Sequence, residues 1–301
     1  MANAYPVMNA TENLIREISG TKNWLMGLEG KADVRWDSST IMPGDYTVVV
    51  VDNATANVAN KASTSVVADQ GVRHNATVTT KNYYQPVKMY AVEMETAIRN
   101  GTLDQYTMKD IAKQVDAVMK ATSTTIVDAL SDGALTKTAT LANGNTNFAA
   151  GTEAKQIANM EKFGSVFGQV VAYNDGMLPD WVIAQTTAYG NLATYSMNAA
   201  RGIARTPNGP TAFEILSVPM YSQPNGTNTK WGAASKPCVL MGSNRHIIFA
   251  MRSASAGVEF MYDTAVGAWV LPIDITISYG VDFTSSTGLA LGIGEVINGA
   301  S

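Results

Sequence analysis

Cysteine is almost missing from this sequence: Cys238 is the single one in 301 residues. No intramolecular disulfide can form, so an oxidising compartment is not implied. Charge is scarce too. Asp, Glu, Lys and Arg make up 15% of the chain, against roughly 25% in a typical soluble domain. Ala, Thr, Asn, Gly and Met fill the gap. Large buried interfaces are depleted in charge in this way, so much of the surface is expected to be covered by something else. The alternative is a neutral, Thr/Asn-rich surface on a monomer. A net charge of −4 argues against a dedicated nucleic-acid binder, which would be basic. No run approaches the ~18 apolar residues of a membrane helix. The opening MANAYPVMNATENLIREIS has neither a basic leader nor an unbroken apolar core, and is read as no signal peptide. The expectation is a protein made and folded in a cytoplasm. The N-x-T triplets at Asn9, Asn53, Asn75 and Asn225 are then products of an Asn/Thr-rich composition rather than glycosylation sites.

Groups that could do chemistry are just as sparse. The two histidines, His74 and His246, lie on separate β-prone segments. Cys238 precedes His246 across a predicted turn, so the two could face one another, but a nucleophilic pair also needs an orienting acid or amide. A lone Cys is more often a small buried hydrophobe. No C-x-x-C, H-E-x-x-H or Walker A spacing occurs, and no metal or cofactor is expected. Gly288, Gly292 and Gly294 stand in the wrong order for a dinucleotide loop and are read as strand ends and bulges. Glu93, Glu95 and Asp263 are read as solvated or salt-bridged carboxylates. Arg201, Arg205 and Lys230 are too dispersed to make a phosphate patch. No catalytic, cofactor-binding or metal residue is assigned.

What the chain does have is pattern. Residues 1–36 hold a short amphipathic stretch (Leu14, Ile15, Ile18) and apolar Trp24, Leu25, Met26 and Leu28, which suit a strap lying on another surface. The turn Pro43-Gly44-Asp45 opens a β run to Val51. A second run, Val72 to Tyr84, should return beside it as a two-stranded projection with a mobile tip. Such a projection is marginal alone, so it is expected to rest on a neighbouring subunit or fold back on its own domain. The stretch 107–130, TMKDIAKQVDAVMKATSTTIVDAL, carries one apolar stripe through Met108, Ile111, Val115, Val118, Met119, Ile126, Ala129 and Leu130. Thr107 with Asp110 reads as a capping box. At about 1.5 Å per residue it makes a rod of roughly 36 Å. Low complexity follows from Thr136 to Gly151. A helix from Thr152-Glu153 to about Tyr173 comes next, then a strand at 181–185 and a helix over 187–201. After Phe213 the chain is mostly β: Phe213 to Ser222, a hairpin of Cys238–Met241 with Ile247–Arg252, Val258 to Tyr262, and Trp269 to Phe283. The fold class is α+β, with helices and strands grouped.

In this order the parts resemble the major capsid proteins of tailed bacteriophages, a fold shared with encapsulins. LPDWVIAQTTAYGNLATYSM is similar to that family's axial helix–strand–helix unit. PTAFEILSVPMYSQPNG, with Ser217-Val218-Pro219 and Gln223-Pro224, is similar to its strand and polar-Pro turn. VEFMYDTAVGAWVLPIDITISYGVDF, with Tyr279-Gly280, is similar to its closing β region. The resemblance implies an N-terminal arm (1–36), an extended loop (37–85) and a peripheral domain (86–140) with a spine helix at 107–130. It further implies an axial domain (141–235) and a closing β region (236–301) shared by the two. No extra N-terminal scaffolding segment is seen, so a mature chain or one assembled with a separate scaffold is expected. The implied role is a structural, non-enzymatic subunit. It assembles as hexamers and pentamers into an icosahedral virion shell around double-stranded DNA, touching the DNA only weakly and no membrane. Scaffold, portal and decoration proteins are the implied partners. An encapsulin-type compartment, a tail tube or a decoration protein are the alternatives. Some relatives join subunits through a Lys–Asn isopeptide bond, but no motif around Lys61 supports that role.

Overall fold

The computed structural model of the chain describes residues 5–6, 24–27, 44–50, 72–84, 86–131, 136–149, 152–174, 176–198, 213–224, 231–256, 259–281 and 292–300. A mixed six-stranded sheet carries β5 (Thr136–Thr140), β6 (Trp181–Gln185), β7 (Phe213–Ile215), β8 (Val218–Gln223), β9 (Pro237–Gly242) and β14 (Ile293–Ile297), in the order β5-β14-β9-β6-β8-β7. Its strands WVIA and CVLM are apolar without alternation because both faces are covered. Trp181, Ile183, Tyr221, Leu240 and Ile293 face a core shared with a long helix. Val182, Ala184, Met220, Val239, Met241 and Val296 face a second core on the other side.

That long helix is α3 (Leu103–Ser131), 29 residues or roughly 43 Å, preceded by a short helix, α2 (Ala91–Arg99). The spine therefore starts earlier than the periodicity predicts, and Thr107 is no cap. It lies buried inside the helix, its hydroxyl donating back to the Leu103 carbonyl at 2.8 Å. The stripe simply continues N-terminally through Thr107 to Leu103, which packs on the core. Glu93, read as a solvated carboxylate, is the cap instead. Its Oε2 accepts from the Tyr90 N–H at 3.0 Å, satisfying a donor at the start of α2.

The second core is closed by α4 (Glu153–Tyr173) and α5 (Thr186–Asn198). Thr152 caps α4 by accepting from the Lys155 N–H. Asn174 ends it, and Gly176, at φ +86°, returns its N–H to the Val171 carbonyl, a left-handed helix stop. Gly164 and Gly168 lie on the exposed face of α4 with open space where a Cβ would sit. Gly164→Ala and Gly168→Ala should each stabilise the unassembled chain by about 0.5–1 kcal/mol, read as a higher urea midpoint at an unchanged m value.

The closing β segments depart from expectation where the chain turns back or changes sheet. Phe213 to Ser222 is two strands, not one. Leu216 (φ 52°) and Ser217 (φ 65°) form a tight turn between β7 and β8, with none of the Asn or Gly that advertises such turns. The predicted hairpin of β9 with β10 (Ile247–Ala256) does not form. β9 pairs with β14 and β6, and β10 with β13 (Ile273–Val281). The corner between them is a 3-10 turn, Asn244–His246. Asp180 pins it, its Oδ2 accepting from Ser243 Oγ at 2.6 Å and the Asn244 N–H at 2.8 Å. Likewise Trp269 to Phe283 is broken at Pro272, which has no N–H for a ladder. β12 (Ala268–Leu271) joins β1 (Tyr5–Pro6), β11 (Glu259–Asp263) and β4 (Val87–Met89), while β13 joins a different sheet, β10-β13-β3-β2.

In that last sheet β2 (Gly44–Val50) and β3 (Val72–Tyr84) form the expected antiparallel pair. Thr79 through Tyr84 pair with β13, whereas Val72 through Val78 pair with β2. The tip expected to be mobile lies outside the described residues, as do Leu14, Ile15, Ile18 and Leu28.

The strap needs correction. Trp24 and Leu25, in the four-residue helix α1 (Trp24–Gly27), are buried in this chain's own core, and Tyr5 and Pro6 pair with Phe260 and Glu259. Apolar content alone did not say whose surface the strap covers. Burying one Trp and one Leu contributes about 6–7 kcal/mol. Ordering four backbone residues costs about 4–8 kcal/mol, so docking of α1 stands near balance.

Candidate functional site

Among the described residues, Cys238 and His246 do not come together. Cys238 lies near the start of β9 and His246 beyond its far end, since Gly242, at that end, is the residue beside the His246 imidazole. Four residues of strand separate Cys238 from Gly242, about 13 Å, well beyond proton-transfer reach. Each is occupied: Cys238 Sγ donates to the Val296 carbonyl at 3.4 Å, and His246 Nδ1 accepts from the Ser243 N–H at 3.0 Å. Burial pushes the Cys238 thiol up to about 12, so at pH 8 about one part in ten thousand is thiolate. A thiol reagent at pH 8 should leave the folded chain unlabelled and label it fully in denaturant.

His74 stands opposite Val48 in the β2–β3 pair. Glu95 is exposed. Asp263 holds a turn, its Oδ1 accepting from the Ala265 N–H at 2.9 Å. Arg201, Arg205, Lys230 and Gly288 lie outside the described residues. Gly292 and Gly294, expected at strand ends and bulges, are points of close approach. A Cβ on Gly292 would meet the Tyr173 ring at 2.9 Å, and one on Gly294 would meet Val166 and Val170 of α4 at 2.6 and 2.7 Å. No group of three or more His, Cys, Asp or Glu among the described residues is placed to hold a metal.

The strand-to-helix turn at β6–α5 has the shape of an anion site, but its donors are taken. Gln185, buried, accepts with Oε1 from the N–H groups of Thr187 (2.7 Å) and Ala188 (3.0 Å). The chain's own carboxamide occupies the place where a phosphate would bind at a helix N-terminus. The turn serves packing: α5 lays Ala188 and Leu192 into the second core.

Two buried polar junctions stand out among the described residues, and neither is visible as a motif. Gln223, 1% exposed, accepts from Trp24 Nε1 of the strap. Its Nε2 donates to Thr124 Oγ1 of the spine at 3.2 Å, and its carbonyl accepts from Trp231 Nε1 at 3.3 Å. Asn298 is fully buried. Its Oδ1 accepts from the Asn147 N–H at 2.7 Å, and its Nδ2 donates to the Gly232 and Ala233 carbonyls, both at 2.9 Å. The segment read as low complexity is thus a built loop. Asn147 (φ 51°) and Phe148 (φ 58°) hold left-handed backbone, and Asn145 bonds Asn159.

Several apolar side chains of the described residues stand exposed. Parallel pairing of Val182 with Met220 sets 178 level with 216, so exposed Met177, Leu178 and Leu216 share one end of the six-stranded sheet. Val92, 76% exposed, stands on α2; Met261, Tyr262 and Val266 stand exposed on the β11–β12 hairpin. With the β2–β3 pair, these are the surfaces a partner chain could cover.

No protein-family model matches the sequence, and no curated protein matches it. Solved structures do. A structure titled "Capsid of Ralstonia phage GP4" is similar over 93% of this chain and 92% of its own, at a TM-score of 0.53 and 10% identity. A structure named for Mycobacterium phage Bobi is similar over 91% of this chain and 94% of its own, at 0.50 and 10%. At such identity the likeness is one of fold. The chain has the α+β fold of these phage structures along nearly its whole length, as the order of its sequence segments predicted.

Proposed function

We propose that this chain is the shell subunit of a tailed-phage capsid. It is a structural protein rather than an enzyme, and assembles with copies of itself as hexamers and pentamers around double-stranded DNA. The observation that carries this reading is the fold likeness to the Ralstonia phage GP4 capsid structure over 93% of the chain. Residues 1–36 act as the arm and 37–85 as the extended loop. Residues 86–140 with the spine form the peripheral domain and 141–235 the axial domain, and 236–301 close both. A chain with 15% charged residues and exposed apolar patches on several elements suits many modest contacts repeated under symmetry. Scaffold, portal and decoration proteins are the further partners, with assembly in the host cytoplasm and residence in the virion. A net charge of −4 leaves DNA held only by weak, non-specific contact. Among the described residues no helix is long and apolar enough to cross a membrane.

Electron microscopy of the expressed protein, alone and with its neighbouring genes, tests this. Closed shells of uniform size are expected. Replacing residues 46–76 by a short Gly-Ser linker should leave a folded chain that no longer closes shells. Particles in neither preparation, with the chain remaining a monomer, would overturn the reading; shells filled with an enzyme from a neighbouring gene would point to an encapsulin.

A further inference from the structure

We propose that the spine helix and β8 form a docking slot for an indole, and that α1 is a releasable latch seated in it. This does not rest on the shell reading, because it concerns a single chain. Among the described elements α1 packs chiefly on the spine helix and on β8. A helix of four residues has no stability of its own, so the slot imposes its conformation. The slot's polar end has a defined direction. Thr124 Oγ1 donates its one hydrogen to the Lys120 carbonyl at 2.9 Å, and so can only accept from Gln223. That places the Gln223 NH2 toward Thr124 at 3.2 Å and its Oε1 toward the strap, where Trp24 Nε1 donates to it. Backbone of the spine, Thr124, Gln223 and Trp24 therefore form one chain of hydrogen bonds, each donor pointing the same way. The ligand class this end accepts is a flat apolar ring with an N–H at its edge. A phenyl ring would fill the slot but leave the Gln223 oxygen buried and unpaired.

Because Gln223 ends β8 and Thr124 lies on the spine, the docked indole completes a join between sheet and helix. With its net docking energy small but favourable, α1 is mostly closed and should open without the rest of the fold opening. Its release then loosens that join, giving the strap two states and the spine-to-sheet contact two degrees of restraint.

Hydrogen exchange on the unassembled full-length chain reads this directly. Peptides covering 24–27 should exchange at least about tenfold faster than those covering 111–130. Trp24→Phe, which keeps the ring and removes the N–H, should speed exchange about another tenfold at 24–27. It should also speed exchange in the peptides holding Thr124 and Gln223. Exchange of 24–27 only in step with the spine would make α1 an ordinary piece of core and overturn the latch. So would a Trp24→Phe effect confined to 24–27. A second variant examines the slot itself. Millimolar indole should raise the melting temperature of Trp24→Ala and leave that of the parent chain unchanged. No rise in Trp24→Ala would mean that no slot survives without its strap, and would overturn the slot.

Discussion

Gly294→Val should destabilise the unassembled chain by about 4 kcal/mol or prevent it from folding. Gly294 lies within β14, inside the six-stranded sheet, where α4 crosses closest. A Cβ there would stand 2.6 Å from Val166 Cγ1, 2.7 Å from Val170 Cγ2 and 2.8 Å from Met241 Cγ. Val166, Val170 and Met241 are fully buried, so none can swing into solvent. Interiors are packed as densely as organic crystals. The helix must lift from the sheet, and its whole apolar face loses contact with it. Gly294→Ala should cost less, about 2–3 kcal/mol, because only one methyl must be accommodated. Urea unfolding monitored by circular dichroism orders the three chains. A valine variant as stable as the parent would mean that α4 is not seated as described. Gly299 is similar in kind, since a Cβ there would collide with the Ala142 carbonyl oxygen.

Asn298→Ala is expected to cost about 3–4 kcal/mol. Truncation strands the part-buried N–H of Asn147 and the carbonyls of Gly232 and Ala233, all served by one side chain. It also unfastens two loops from the chain's last strand. Asn298→Asp is the sharper test, because it keeps the acceptor and replaces the donor by an ionisable oxygen. Ionised, that carboxylate would be buried and would face two carbonyl oxygens, so its pKa is raised in the folded state above its unfolded value of about 4. The sign follows: the protonated acid supports the fold below pH 4, and that support is lost as pH rises through the raised folded value. The Asn298→Asp chain should therefore sit closest to its parent near pH 4 and fall furthest behind it at pH 7. The Asn298→Ala deficit should barely change over the same range. Parallel curves for the two variants would remove Asn298 from the role of clasp.

Elements that follow from local period were legible. α4, the β6–α5 unit and the β2–β3 pair stand where apolar spacing and turn residues placed them, and the spine does so apart from its earlier start at Leu103. The spine stripe Ile111, Val115, Val118, Met119, Ile126 and Leu130 is buried, and α4 begins and ends at its predicted residues. Three departures share one cause. The β9–β10 corner and the break at Pro272 are places where a β-prone run passes from one sheet to another, and the β7–β8 turn is where one folds back on itself. Propensity reports that a residue suits a pleated surface, but not which strand lies beside it. The polar junctions escaped for a related reason. Gln223 and Asn298 look like any other amides until residues 24, 124 and 231, or 147, 232 and 233, are brought to them.

By itself the sequence determined the fold class and the order of the helices and strands, because these depend on composition and on periods that one helix or strand repeats along its own length. Only the tertiary structure decided that Trp24 and Leu25 belong to this chain's own core, that Cys238 and His246 are held apart, and that glycines crowd against α4. Those are contacts between residues far apart in the chain. Their energy comes from shape and hydrogen bonding in three dimensions, and local sequence carries no trace of which distant surface will complete them.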